Sequence, residues 1–281
     1  MAPRAYWKGH IRLSLVSFPV RLHAAITSSE KISLHQYDKE SGERIRYNKV
    51  SDSGDDVEAE DIIRGYEYEK GAFVPIEDDD LEALMLESKH TIDLVQFTDI
   101  DDVDPIYFER SYYVAPDGEI AEEAYLTVRE ALKKAGKAAI GQIVLNKKER
   151  IVALRPCGKG LVLDTLRYAY EVREAEAYFE ELPKKSDINK EQLELAEQLI
   201  EKKTAPFDPH AFKDHYQVGL MEIIKAKLKG KKTKSSKSAP ASPKNVVNIV
   251  DALKASLKQA NGKKSAPKKK SAAGKKSDQA A

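Results

Sequence analysis

The stretch WKGHIRLSLVSFPVRLH, residues 7–23, decides how this chain is read. Ile11, Leu13 and Leu15 fall on odd positions, with Lys8, His10 and Arg12 between them. Strand side chains alternate between faces, so the run begins as a strip with one oily side and one cationic side. After Leu15 the phase changes, and Val16, Phe18, Val20 and Leu22 carry the apolar pattern on even positions. A parity switch with Pro19 nearby predicts a bulge or sharp bend, as where a sheet curls into a barrel. The cationic side is either an ordinary solvated face or one that lies against a polyanion.

Further along, KISLHQY (31–37) and RIRYNKV (44–50) read as strands joined by a turn containing Asp38, Ser41 and Gly42. YEYEKGAFVPI (66–76) reads as a short strand pair around Gly71, and TIDLVQF (91–97) and IYFERSYYVAP (106–116) as further strands. IGQIVL and IVALRP are two apolar strands separated by NKKER. Acids before an apolar run start a helix in DDDLEALML. Residues 121–136 have acids first, lysines last and Gly136 just beyond. LRYAYEVREAEAYFEEL, NKEQLELAEQLIEKK and DPHAFKDHYQVGLMEIIKAKLKG also read as helices. In the last, Asp208 is placed as cap, Pro209 as first helical residue and Gly230 as the end. The expected class is α+β, with a strand-rich core and a helical C-terminal part.

The net charge of +1 hides a division. From Gly230 onward there are fourteen Lys and two Asp, whereas residues 1–229 hold 33 basic and 44 acidic residues. Past Gly230 the composition falls to Lys, Ser, Ala and Pro, which cannot build a core. One island interrupts it: in residues 245–262, Val246, Val250, Leu253 and Leu257 share a helical face. An isolated helix this short is marginal in water, so its apolar stripe needs a partner surface.

Cys157 is the sole cysteine, which excludes a disulfide within the chain and argues against a thiolate zinc site. Neither a signal-peptide core nor a run of about 18 apolar residues is present, so a soluble, cytoplasmic protein is expected. DIDDVD (99–104) fails as a calcium loop, because the sixth and twelfth positions are Asp104 and Arg110. GKGLVLDT (158–165) lacks the order of a phosphate loop, and His210 and His215 are five apart, off the spacing of paired helical ligands. With no triad, metal motif or cofactor motif, no catalytic residue and no cofactor are expected.

Basic clusters remain: Lys8 and Arg12; Arg44, Arg46 and Lys49; and Lys147, Lys148 and Arg150 at the tip of a hairpin. Singly, each is accounted for by solvation. Together, in a net acidic body, they suit a cationic lining that draws phosphate to one place.

The stretches AYWKGHIRLSLVSFPVRLHAA, ERIRYNKV, EDIIRGYEYEKGAFVPI, DVDPIYFERSYYVAPD, ALRPCGKGLVLDTLRY and FDPHAFKDHY, in this order over residues 3–230, resemble the bacterial Ku family, the homodimeric DNA-end-binding proteins of non-homologous end joining. The resemblance implies a β-barrel core with a long DNA-encircling arm, a helical C-terminal part and a disordered basic tail. It divides the chain into a Ku-like core (1–230), a flexible linker (231–244), a short helix for partner docking (245–262) and a Lys-rich disordered tail (263–281). It implies a homodimeric ring that threads onto double-stranded DNA ends without sequence readout, and that recruits DNA ligase D. The hairpin IGQIVLNKKERIVALRP is placed in the arm, with Lys147, Lys148 and Arg150 facing the DNA backbone. Arg44, Arg46 and Lys49 are placed in the cradle, with Lys8 and Arg12 in the cradle or ring interior. Val250, Leu253 and Leu257 are the expected anchors on the ligase. No membrane partner is expected, because the tail lacks an apolar anchor. The rival readings are a metal-dependent nuclease using the 99–104 acids and a tail-driven, non-specific nucleoid-binding protein.

Overall fold

Ser14 and Leu15 turn the opening stretch back on itself. In the computed structural model, which describes residues 4–27, 29–83, 90–183, 188–230 and 249–262, strand β1 (Trp7–Leu13) and strand β2 (Val16–Ala24) form an antiparallel hairpin. The parity switch is therefore a two-residue turn rather than a bulge within one strand. Trp7 faces Leu22 and Ile11 faces Phe18, so odd residues of β1 stand opposite even residues of β2 and share a face. Ser14 holds the left-handed conformation that such a turn needs, with φ 53°.

The remaining barrel strands are β5 (Thr91–Asp99), β6 (Phe108–Pro116), β7 (Lys137–Leu145), β8 (Lys148–Cys157) and β9 (Gly160–Leu166). The ribbon strands β3 (Arg64–Glu69) and β4 (Ala72–Ile76) precede them in the chain and pair only with each other. The barrel closes in the order β1-β2-β6-β9-β8-β7-β5. Its pairings are antiparallel except β1 with β5, where His10 faces Thr91 and Arg12 faces Asp93. Closure leaves the barrel itself without an edge strand. Gly141 is required where β5 and β7 approach, because a Cβ there would lie 2.1 Å from the Asp93 carbonyl oxygen.

The hairpin expected to form the arm is barrel wall instead. β7 pairs with β5 and β8 pairs with β9, and Ile143, Leu145, Val152 and Leu154 point into the core. The segment that leaves the barrel without packing on its core is the insertion between β2 and β5, in which no described residue from Ala25 to His90 is buried. Within it the turn at Asp38–Glu43 forms, but the flanking runs make one bridge, Tyr37 to Arg44, rather than two strands. The β3–β4 ribbon turns at Gly71, φ 81°, and is followed by helix α1 (Asp78–Ala83).

Helix α2 (Glu119–Ala135) packs one face, Ala121, Tyr125, Val128 and Leu132, into the barrel core. Gly136 ends it in the left-handed conformation, its N–H bonding the carbonyls of Leu132 and Lys133. The Tyr125 hydroxyl donates to Val114 O (2.8 Å) and accepts from Leu161 N (2.9 Å). Burial also raises its pKa. Tyr125→Phe is expected to lower stability by about 1–3 kcal/mol, because two buried backbone groups lose their partner. The urea midpoint read from Trp7 fluorescence measures this, since Trp7 is the single tryptophan and packs on the barrel core.

The described residues from Ala175 onward form a second compact unit. Its described helices are α3 (Glu176–Phe179), α4 (Lys190–Lys203), α5 (His215–Leu228) and α6 (Ile249–Gly262). Residues 166–182 are not one helix: β9 runs through Leu166, and only α3 is helical beyond a short turn at 169–171. Asp208 caps a turn at Pro209–Ala211, and α5 starts later, where the Asp214 carboxylate accepts from Gln217 N at 2.9 Å. Helix α6 lies against α4, with Leu257 8% exposed and Lys254 paired to Glu191 at 2.9 Å. The linker at 231–244, the first residues of the docking segment and the 263–281 tail lie outside the described residues. No described helix is long and apolar enough to cross a membrane.

Candidate nucleic-acid interface

The registers place the barrel's two mouths. Leu22 near the end of β2 stands opposite Trp7, and Thr91 at the start of β5 stands opposite His10, so the insertion leaves and re-enters the barrel at one end. Gln142 opposite Asp93 sends β7 on toward that same end, where Asn146 and Lys147 turn into β8. Both turn residues have positive φ, 50° and 63°, the geometry of a tight hairpin turn. Helix α2 joins β6 to β7 at the opposite end, next to Pro116 and Lys137. One mouth is thus closed by α2, and the other opens at the foot of the insertion.

Parity decides which cations line that open mouth. In β8, Lys148 and Arg150 share the parity of the buried Val152 and Leu154, so they continue the inward face past the end of the core. Arg110 likewise shares the parity of Tyr112 and Val114 in β6. With Tyr6, Glu109 and Thr165 they line a pocket of about 240 Å³, floored by Tyr112 and Leu145. Arg150 Nη1 pairs with Glu109 Oε2 at 3.3 Å, and both side chains are largely covered, at 27% and 28% exposure. Asn146 Nδ2 donates to the Tyr6 hydroxyl at 2.6 Å. The Tyr6 and Tyr112 rings lie 5.2 Å apart, and burial first, then Tyr6, raises the Tyr112 pKa, so its phenol stays neutral. Among the described residues, neither Arg110 nor Lys148 forms an ion pair. A second cavity of about 370 Å³ shares Tyr6, Arg110 and Tyr112 and adds Lys31 and Ile26 from the start of the insertion.

The other expected cations divide into two groups. Lys8 and Arg12 stand on the outer barrel face and are neutralised by the chain's own acids. Lys8 pairs with Asp117 at 3.4 Å, and Arg12 makes a two-pronged contact with Asp93. The same Asp117 also holds Arg21 at 3.2 Å. The hydrogen bond from Arg12 keeps the Asp93 carboxyl below the usual carboxylate range, so this pair survives into mildly acid solution and is lost only as pH falls further. Arg44, Arg46 and Lys49 are exposed on the insertion and form no ion pair among the described residues, although Arg44 Nη2 lies 3.2 Å from His35 Nδ1. Lys147 is exposed at the barrel turn. The assignment of arm and cradle is thereby reversed: 147–150 belong to the barrel and 44–49 to the segment outside it. Arg110 and Lys31 join these cations from the structure rather than from the basic clusters of the sequence. A cation at inward parity in IYFERSYYVAP was the signal for Arg110.

Three of the four acids at 99–104 are occupied locally. Lys137 Nζ lies 2.6 Å from Asp99, Thr98 donates to Asp102 at 3.2 Å, and Asp104 accepts from Ile106 N at 2.9 Å. Among the described residues, no group of three His, Cys, Asp or Glu side chains is arranged to hold a metal. Val250 and Leu253 are half-buried and Leu257 is buried on α6.

Residues 12–195, from β1 into α4, match the family model described as the Ku70/Ku80 beta-barrel domain. The chain is 40% identical over 268 residues to the "Non-homologous end joining protein Ku" of Bradyrhizobium sp. (strain ORS 278), covering 95% of this chain and 91% of that protein. Over 231 residues it is 43% identical to the protein of the same name from Acidobacterium capsulatum, covering 80% and 75%. The Cereibacter sphaeroides protein of that name is 40% identical over 233 residues, covering 83% and 87%. A seven-stranded barrel with an insertion springing from its open mouth, and similarity that runs through it into the helical unit, place this chain in the Ku family.

Proposed function

We propose that the chain is a non-catalytic binder of double-stranded DNA ends in non-homologous end joining, acting as a homodimer whose two insertions close a ring around the duplex. The observation that carries this reading is the insertion itself. Its exposed cations include Arg44, Arg46 and Lys49, and no described residue in it is buried. Tyr47, Tyr66 and Phe73 are exposed along it, and a two-stranded ribbon such as β3–β4 is not stable alone. A second copy and a duplex together supply the cover and the counter-charge. Phosphate contacts without base readout make the binding independent of sequence.

DNA ligase D is the enzyme we assign as recruited, with Val250, Leu253 and Leu257 of α6 as the docking anchors. Since Leu257 is buried where α6 lies against α4, docking through all three requires α6 to exchange that contact for a groove on the ligase. The Lys-rich 263–281 segment is assigned as an electrostatic tether for DNA outside the ring.

The test compares a short linear duplex with a covalently closed minicircle of the same length, in chelator. The full chain and a chain ended after Gly262, which retains α6, are each measured. Binding of the linear form alone by the shortened chain is expected. Equal binding of both forms, lost on shortening, would instead make the chain a tail-driven, non-specific DNA binder.

A further inference from the structure

We infer that the open mouth of the barrel is a binding site for one phosphate monoester group, held between Arg110 of β6 and Lys148 of β8. This rests on the reading of the chain as a phosphate-recognising protein, but it is tested without DNA. Four charged side chains line the pocket: Arg110, Lys148, Arg150 and Glu109. Arg150 and Glu109 offset each other at 3.3 Å. That leaves two cations with no ion pair among the described residues, facing a space of about 240 Å³. At about 30 Å³ per water this is room for roughly eight waters, enough for a tetrahedral oxyanion and part of its shell.

Charge and donors both favour a monoester. A monoester carries about −1.5 to −2 at pH 7, which matches two cations that have no carboxylate partner among the described residues, Arg110 bonding the Tyr112 phenol, whereas an internal phosphodiester matches one. The guanidinium of Arg110 is a planar fork suited to two phosphate oxygens, and the ammonium of Lys148 adds a point charge in the same lining. The floor is built from Tyr112, Leu145 and Thr165, whose exposures of 5%, 6% and 2% leave the bound group open to water only on the side of the mouth. Tyr6 extends its hydroxyl to the same pocket, where it already accepts from Asn146. The neighbouring cavity, which shares Arg110 and adds Lys31, gives the rest of a larger ligand a path away from the mouth along the base of the insertion.

The phosphate has two possible sources, the 5′ end of a nucleic-acid strand or a small phosphate compound. Inorganic phosphate is the first probe, titrated against chloride at matched ionic strength and followed by calorimetry on the full chain. Saturable binding is expected, weakened about tenfold or more in Arg110→Gln/Lys148→Gln. Glu109→Gln removes the competing carboxylate and is expected to tighten binding severalfold, a gain that misfolding cannot mimic. No saturable binding to the native chain, or equal binding in the double variant, overturns the inference. Short blunt duplexes with 5′-phosphate and 5′-hydroxyl ends then identify the source. A preference for the phosphorylated duplex that vanishes in the double variant assigns the strand end. The same affinity for both duplexes, with phosphate binding still lost in the variant, assigns a small phosphate compound. Because the first arm contains no DNA, failure of the ring reading in the minicircle experiment leaves its result standing.

Discussion

Arg155→Met is expected to destabilise the barrel by about 3–5 kcal/mol, the loss typical of a buried charge stripped of its partner. Asp164 is the buried charge, 2% exposed on β9. Its Oδ2 accepts from Arg155 Nε at 2.8 Å, and its Oδ1 accepts from Ser111 Oγ at 2.5 Å. The carboxylate therefore ties β6, β8 and β9 together across the outer wall. The pair is asymmetric, because the Arg155 side chain is 37% exposed and can be solvated if left alone. Removing the cation strands the carboxylate in a low dielectric, whereas Asp164→Asn keeps an oxygen acceptor and leaves the guanidinium near water, costing about 1–3 kcal/mol. Urea unfolding followed at Trp7 should rank Arg155→Met below Asp164→Asn, with the slope m unchanged. For a unit of this size the larger loss lowers Tm by roughly 6–20 °C. The double variant Arg155→Met/Asp164→Leu should recover most of it, since no uncompensated charge remains. Equal effects of the two single changes would show that Asp164 is not the member whose desolvation matters. The consequence reaches the open mouth, because Ser111 adjoins Arg110 and Asp164 adjoins Thr165 on the same strands.

Much of this architecture is legible in single strands. The alternation in residues 7–23 marks the inward faces at Ile11 and Leu13 and again from Phe18 to Leu22, although it reads as one bent run and includes Leu15, which lies exposed in the turn, and Gly136 marks a helix end where it occurs. What alternation cannot report is adjacency. A hairpin standing free as an arm and a hairpin built into a wall have the same local pattern, and only the long-range pairs β5–β7 and β8–β9 separate them. The same limit hid the ion partners. Asp93 is 81 residues from Arg12, and Asp117 is far in sequence from Lys8, so the cationic face of β1 looked free when it was already compensated. The misplaced start of α5 has a local cause. Asp208 and Pro209 do perform capping chemistry, but on a single turn, and Asp214 six residues later caps the helix itself. Arg110 is legible in the sequence, since a cation on the same parity as the apolar Tyr112 and Val114 has to sit where the barrel opens.

Compensation also sets what each cationic group contributes to DNA binding. Counterion release requires an unneutralised cation at a phosphate, and each such contact steepens the dependence of log K on log salt by about 0.9. Arg44→Gln/Arg46→Gln/Lys49→Gln removes three exposed cations without ion pairs, so the slope should flatten by about 2.7 and affinity at 0.1 M salt should fall by two to three orders of magnitude, equally on unrelated sequences. Lys147→Gln/Lys148→Gln/Arg150→Gln should flatten it by about 1.8 rather than 2.7, because Arg150 is held by Glu109. Lys8→Gln/Arg12→Gln should leave the slope nearly unchanged, since Asp117 and Asp93 already balance these cations. The three slopes, measured by titration across a salt series, separate the surfaces. An unchanged slope in the first variant removes the insertion from the interface. A drop of about 1.8 in the Lys8/Arg12 variant means instead that DNA pulls those cations from their carboxylates, and the outer face of β1 then joins the binding surface.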